Sequence, residues 1–222
     1  MCIRDRPQTD IALILLASGL SRRFGHDDKL LAPLGGKPLL SYSAALTMPN
    51  YNPYRLAVID AEIKAREDIV QSQGWDIIRN PNPMDGQAAS LALAIKHLQA
   101  LAHIRACIII LADMPFVSEV HLEAMVSRAS DPISAVISRY QGTLCPPTLF
   151  KRDSFEALAA LSGDKGAKSV LRTLEHVSII DLPDLVGVDI DSPNDLLRSQ
   201  RLMTERGRII DLQKKHKVKG KS

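Results

Sequence analysis

Three polar clusters in the 222-residue chain each follow an apolar run. The first is Ala17-Ser-Gly-Leu-Ser-Arg-Arg-Phe-Gly-His-Asp-Asp-Lys29, after Ile11–Leu16. Glycine and small residues let backbone amides approach a phosphate chain closely, and Lys29 sets a cation against it. Neither a G-x-x-x-x-G-K-[ST] loop nor a G-x-G-x-x-G fingerprint is present, so spacing alone leaves phosphate binding and a plain surface loop open. The second cluster is Leu111-Ala-Asp-Met-Pro115. An aspartate closing an apolar strand can hold Mg2+ at a sheet edge, or simply cap a turn. The third is Val188-Asp-Ile-Asp-Ser-Pro-Asn-Asp195. Asp189 and Asp191 fall on one face of an extended chain, where they share a metal or cap the following helix.

The elements that must position these clusters read as alternating strands and helices. Ile11–Leu16, Arg55–Asp60, Ala106–Leu111 and Ile133–Ser138 are apolar runs of strand length, with a short strand at Trp75–Ile78 and an extended segment at Pro146–Phe150. Val177–Asp181 and Gly187–Ile190 also read as strands. Helical patterns cover Pro38–Thr47, Ala61–Gln73, Gln87–Leu101, Ser118–Ala129, Asp153–Leu161, Lys168–Leu174 and Pro193–Arg206. The alternation predicts an α/β fold: a three-layer α/β/α sandwich with a mostly parallel, Rossmann-like sheet, as one domain over 10–211 with disordered tails at 1–9 and 212–222.

The net charge of +3 sits at the ends. Gln213–Ser222 carries five lysines and no acid, and without it and the first six residues the body has a net charge of −3. That argues against a nucleic-acid binder. The opening MCIRDR resembles the translation of a common sequencing adapter and carries no weight in the fold. No apolar run reaches the ~20 residues of a membrane span, and no signal-peptide pattern is present, so a cytoplasmic protein is expected. Cys2, Cys107 and Cys145 are too few and too scattered for a disulfide framework or a zinc site. The six histidines form no H-x-x-x-H pair, and Met84, Met114, Met125 and Trp75 read as packing residues.

Taken together, the clusters resemble the nucleotidyltransferases that modify the molybdenum cofactor. Leu15-Leu-Ala-Ser-Gly-Leu-Ser-Arg-Arg-Phe-Gly25 with Lys29 is similar to their L-A-A-G-x-S-x-R-[MF]-G…K signature, and Leu30–Leu39 continues it. Leu111–Pro115 resembles G-D-M-P, Gly86-Gln-Ala-Ala-Ser-Leu91 resembles G-x-x-x-S-L, and Asp189–Leu196 resembles D-I-D-T-P-E-D-L. Gly163-Asp-Lys-Gly-Ala-Lys168 resembles the G-D-K-G-A-R segment of the cytidylyltransferase branch. The matches occur in family order across Ile11–Leu197. Ser18, Ala112 and Lys168 depart from the pattern, and Asp27 and Asp28 put two acids beside Lys29.

The resemblance implies a nucleotide-diphospho-sugar transferase-like fold and CMP transfer from CTP to the terminal phosphate of molybdopterin, with release of pyrophosphate. A phosphate monoester is largely dianionic near neutrality, so no general base is needed to activate it. Catalysis would be positioning and electrostatics. Lys29, Asp113 and Arg23 are the expected catalytic residues. Leu16, Ala17, Ser18, Gly19, Arg23, Lys29, Gly86 and Ser90 form the expected nucleotide site, with Arg22 a further triphosphate candidate. Asp113 and Asp191 are the expected Mg2+ ligands, with Asp189 second choice. Gly163–Lys168 would face the acceptor. A molybdoenzyme that receives the product is an implied partner. GTP in place of CTP, another phosphorylated acceptor, and a non-catalytic carrier of the cofactor are the alternatives.

Overall fold

The computed structural model describes residues 10–20, 24, 28–163, 166–183 and 186–204. The terminal tails, Arg22, Arg23 and Asp164–Lys165 lie outside the described residues.

The first strand, β1 (Ile11–Ala17), is buried along its whole length. Its alternating side chains feed two cores: Leu13, Leu15 and Ala17 pack on one face, and Ala12, Ile14 and Leu16 on the other. That is why the run is apolar throughout. A short 3-10 turn at Lys29–Leu31 leads into a small hairpin of β2 (Pro33–Leu34) and β3 (Lys37–Pro38). Helix α1 (Leu40–Ala44) follows. Next come β4 (Tyr54–Asp60), α2 (Lys64–Ser72), β5 (Asp76–Asn80), α3 (Gly86–Gln99), β6 (Ala106–Leu111) and α4 (Glu119–Arg128). The chain continues through β7 (Ala135–Tyr140), β8 (Thr143–Lys151), α5 (Phe155–Ala159), α6 (Ala167–Leu171) and β9 (Val177–Asp181). A last helix, α7, covers 193–204.

The seven-stranded sheet has the order β5-β4-β1-β6-β8-β7-β9. Every neighbouring pair is parallel except the two that β8 makes with β6 and β7. Helices α1, α2 and α4 cover one face, and α3, α5 and α6 the other. The result is the α/β sandwich with a mostly parallel sheet that the alternation predicts. Strand order reverses between β1 and β6, which opens a crevice beyond their carboxyl ends.

Several boundaries differ from the sequence reading. Pro38 closes the hairpin instead of opening a helix, because Gly35 and Gly36 both adopt positive φ (57° and 84°) and turn the chain in two residues. The run Gly187–Ile190 is not a strand. It buries its apolar residues by packing: Ile190 is fully buried, and a side chain at Gly187 would collide with the Tyr140 ring. The segment is tied to the turn after β6 by a backbone bond, Ile190 N–H to Asp113 O at 3.0 Å. Met84 is exposed, whereas Met114 and Met125 are core as expected. Trp75 is also core, with its indole N–H donated to Ala44 O at 2.7 Å.

Candidate functional site

The crevice at the β1–β6 switch holds a cavity of about 370 Å3. Its described lining includes Leu16, Ser18, Gly19 and Leu20 at and after the end of β1, Lys29 and Leu30 from the 3-10 turn, Gly86 and Gln87 at the start of α3, and Leu111 to Asp113 at and after the end of β6. Three segments far apart in sequence therefore converge where strand topology places ligands.

Lys29 is the centre of the polar floor. Its Nζ donates to Asp113 Oδ2 at 2.8 Å and to Asp191 Oδ1 at 3.0 Å. Burial opposes the ammonium charge, but the two carboxylates outweigh it and hold the Lys29 pKa above its ordinary value. The backbone bond from Ile190 to Asp113 is what brings Asp191 alongside. Asp191 does not cap α7. Ser192 Oγ accepts from Asp195 N–H, while the Asp195 carboxylate accepts from the Ser192 and Asp191 amides, a reciprocal box in which the Asp191 side chain takes no part; its Oδ1 accepts from Lys29. Asp189 is exposed. Desolvation, with Asp191 and Asp113 adding to it, raises its carboxyl above the usual range.

The second oxygen of Asp113, Oδ1, is buried and has no hydrogen-bond partner among the described residues. A buried acceptor without a donor costs about 1–3 kcal/mol. An unpaired carboxylate oxygen in a site with two acids and one ammonium suits a divalent cation. Among the described residues no cluster of three or more acidic, His or Cys side chains is arranged for a metal. Mg2+ characteristically binds one or two protein carboxylates and completes its shell with water and substrate phosphates. Asp113 and Asp191 are suited to that manner of binding.

The other expected residues are distributed around this floor. Ser18 lines the cavity and its hydroxyl bonds Ser90 Oγ at 2.6 Å. Ser90 is buried behind the wall, where it also bonds Asn80 Nδ2 (3.1 Å) and Gly86 O (3.3 Å). Ala17 offers no free carbonyl, since Arg66 Nη1 donates to it at 2.7 Å. Gly19 has open space where a Cβ would stand. Asp28 does not crowd Lys29 with a bare charge. It pairs with Arg66 at 2.8 Å and accepts the Leu30 N–H at 2.9 Å. Arg23 lies outside the described residues.

A second cavity of about 510 Å3 shares Leu111 and Gln87 with the first. Lys168 and Arg172 of the α6 region line it with Cys145, Pro146 and Thr148. Of the segment expected to face the acceptor, Gly166, Ala167 and Lys168 line this cavity, and residues 164–165 lie outside the described residues.

Sequence reading missed two supports. Ser43 of α1 places its hydroxyl 3.3 Å from the carbonyl oxygens of Leu111, Ala112 and Met114, buttressing the turn that carries Asp113. Arg66 of α2 is buried, yet Ile63, Arg66 and Val70 are spaced as one helix stripe. An arginine in the inward slot of that stripe was the available signal.

A parallel sheet with a small-residue loop, a lysine and two acids at its switch point defines an α/β nucleotide-handling fold. Residues 13–177 match the MobA-like NTP transferase domain, so the chain belongs to that nucleotidyltransferase family. It is 28% identical over 201 residues to the purine catabolism protein PucB of Bacillus subtilis, covering 86% of this chain and 96% of PucB. The crystal structure of Rv0371c from Mycobacterium tuberculosis superposes with a TM-score of 0.74 at 24% identity, covering 88% of this chain and 100% of that one. A manganese complex of Rv0371c superposes at 0.68 and 22% identity, over 86% and 98% of the two chains. Molybdopterin-guanine dinucleotide biosynthesis protein A of Archaeoglobus fulgidus superposes at 0.64 and 19% identity, over 87% and 99%. No helix among the described residues is long and apolar enough to cross a membrane.

Proposed function

We propose that this transferase moves CMP from CTP to the terminal phosphate of molybdopterin and releases pyrophosphate. The observation that carries the reading is the pair of adjoining cavities, which share Leu111 and Gln87 and have cationic side chains on both sides: Lys29 in one, Lys168 and Arg172 in the other. Two anionic reactants fit two such compartments. The Gly163–Lys168 segment favours CTP through its resemblance to the cytidylyl branch, and the Ala17-Ser18-Gly19 turn leans the same way.

In the proposed reaction a phosphate oxygen of the acceptor attacks the α-phosphorus of the nucleotide. The bond from that phosphorus to the bridging oxygen breaks, and pyrophosphate carries away the electron pair. Lys29 neutralises the triphosphate, with Arg23 as its expected second cation. Amides at Ser18, Gly19 and the first turn of α3 line the same space, and Leu16 and Gly86 contribute to its wall. Ser90 holds Ser18 in place from behind. Asp113 and Asp191 would hold Mg2+, which supplies charge neutralisation to the phosphates when bound. The residues described leave no need for a nucleophilic side chain, so the work is alignment and screening of charge.

The relative named for molybdopterin-guanine dinucleotide biosynthesis favours one second reading, the same transfer with GTP. A panel of CTP, GTP, ATP and UTP with molybdopterin and Mg2+, scored by pyrophosphate, separates the two. CTP-selective release is expected. GTP-selective release moves the protein to the guanylyl reading, and no release with any nucleotide removes molybdopterin as the acceptor, leaving another phosphorylated acceptor or a carrier role.

A further inference from the structure

We propose that Arg66 is a positioning residue for nucleotide transfer: one buried guanidinium fastens both ends of the segment joining β1 to the Lys29 turn, and so sets Lys29 in the site. The proposal rests on the nucleotidyl-transfer reading of that cavity. Arg66 is 1% exposed. Its Nη1 donates to Ala17 O at 2.7 Å and its Nη2 to Gly19 O at 3.0 Å, at the exit from β1. Its Nε and Nη2 also donate, at 2.8 Å each, to the two carboxylate oxygens of Asp28, the residue before Lys29. Asp28 Oδ1 in turn accepts the Leu30 N–H and starts the turn that carries Lys29. The fork geometry of arginine suits this arrangement: the planar head bonds a carboxylate along one edge while other N–H groups reach backbone carbonyls.

A buried ion pair contributes little net stability compared with apolar packing, so its presence calls for a role in placement. Here the placement is specific. The carbonyls of Ala17 and Gly19 are drawn toward α2 beside the nucleotide cavity, and Lys29 is launched toward Asp113 and Asp191. Holding the loop ends in advance spares the nucleotide the entropy of ordering them.

The test compares wild type, Arg66→Lys and Asp28→Asn. Lysine keeps the charge but loses the fork, and asparagine keeps the shape but loses the charge. Each is examined by hydrogen exchange without ligand, and by calorimetric titration with CTP or GTP in Mg2+. The expected result is exchange accelerated about tenfold or more in the peptide spanning 18–31 while the β4 and β6 amides stay protected. Triphosphate affinity should fall about ten- to a hundredfold, with the KM for the acceptor unchanged. A merely structural role would lower the melting temperature and the active fraction but leave nucleotide affinity at the wild-type value, and that outcome overturns the proposal. Unchanged exchange in 18–31 also overturns it. If Arg66→Lys does not fold, Asp28→Asn decides by the same criteria. A wild-type chain that binds no triphosphate overturns the reading of the cavity itself; a wild-type chain that binds it, with variants that bind equally well, overturns only the role of Arg66.

Discussion

Lys29 and Asp113, 84 positions apart in the chain, are joined by a 2.8 Å ion pair whose carboxylate keeps its other oxygen buried and without a hydrogen-bond donor among the described residues. One oxygen thus answers the lysine, and the other is the oxygen that the proposed metal would take. The backbone bond from Ile190 to Asp113 adds Asp191 to the same group.

Replacing Asp113 with asparagine removes a charge from this group with little change of shape. The expected loss is several kcal/mol of transition-state stabilisation, because the proposed metal clamp would be weakened. Steady-state pyrophosphate release in ordinary Mg2+, with circular dichroism to confirm folding, is the measurement. A folded variant turning over at the wild-type rate would remove Asp113 from the site.

Lys29→Met separates the roles of the lysine. Loss of a charge-assisted bond to the triphosphate should reduce kcat/KM by about 1.5–3 kcal/mol. It should also remove the Lys29 charge from beside Asp113 and Asp191, so Mn2+ alone should bind tighter than in wild type and raise the melting temperature more. The pH dependence has a definite sign. A lysine whose folded pKa lies above its unfolded value of 10.5 contributes stability that is complete below that value and lost as pH rises through the folded pKa. Wild type should therefore lose more stability than Lys29→Met above about pH 10.5. Denaturant titrations from neutral to alkaline pH read the difference, and parallel curves would contradict it.

Gly19→Ala tests whether the space beside the first loop belongs to a ligand. An added Cβ meets no protein atom within 4 Å, and Gly19 lines the cavity. The substitution should leave thermal stability within about 0.5 kcal/mol of wild type, while nucleotide affinity falls. Equal affinity by calorimetry would mean that the nucleotide does not approach this backbone.

The frame of this site was legible in the sequence because its signals were local. The apolar runs at Ile11 and Ala106 marked central strands, and the polar residues just after them marked the rim. What escaped was contact between distant segments. Nothing near Asp28 announces that its charge is taken up by Arg66, 38 positions on. Likewise, nothing in the spacing of Asp189 and Asp191 shows that Ser192 and Asp195 make the reciprocal cap of α7. The Gly35–Gly36 hairpin was legible but outweighed by the helix-opening habit of Pro38. The Gly187–Ile190 run misled because burial by packing and burial by strand pairing leave the same apolar trace.

His121 supplies a prediction at the opposite end of the pH range. It is buried on α4, with Nε2 2.8 Å from Ser138 Oγ, and Ser138 donates its only proton to Pro147 O at 2.8 Å. The Ser138 oxygen must therefore accept from the ring, which fixes the neutral tautomer with hydrogen on Nε2. Desolvation lowers the His121 pKa below its ordinary 6.5. A depressed pKa means that the unfolded chain takes up the proton first, so stability is complete above the unfolded value and declines as pH falls toward the folded one. His121→Gln keeps an N–H donor and removes the titration. Between about pH 7 and 5, where carboxylates are still largely ionised, wild type should lose stability and the variant should lose less. Urea midpoints at matched ionic strength measure this, and identical slopes for the two proteins would show that the ring is not held neutral by its burial.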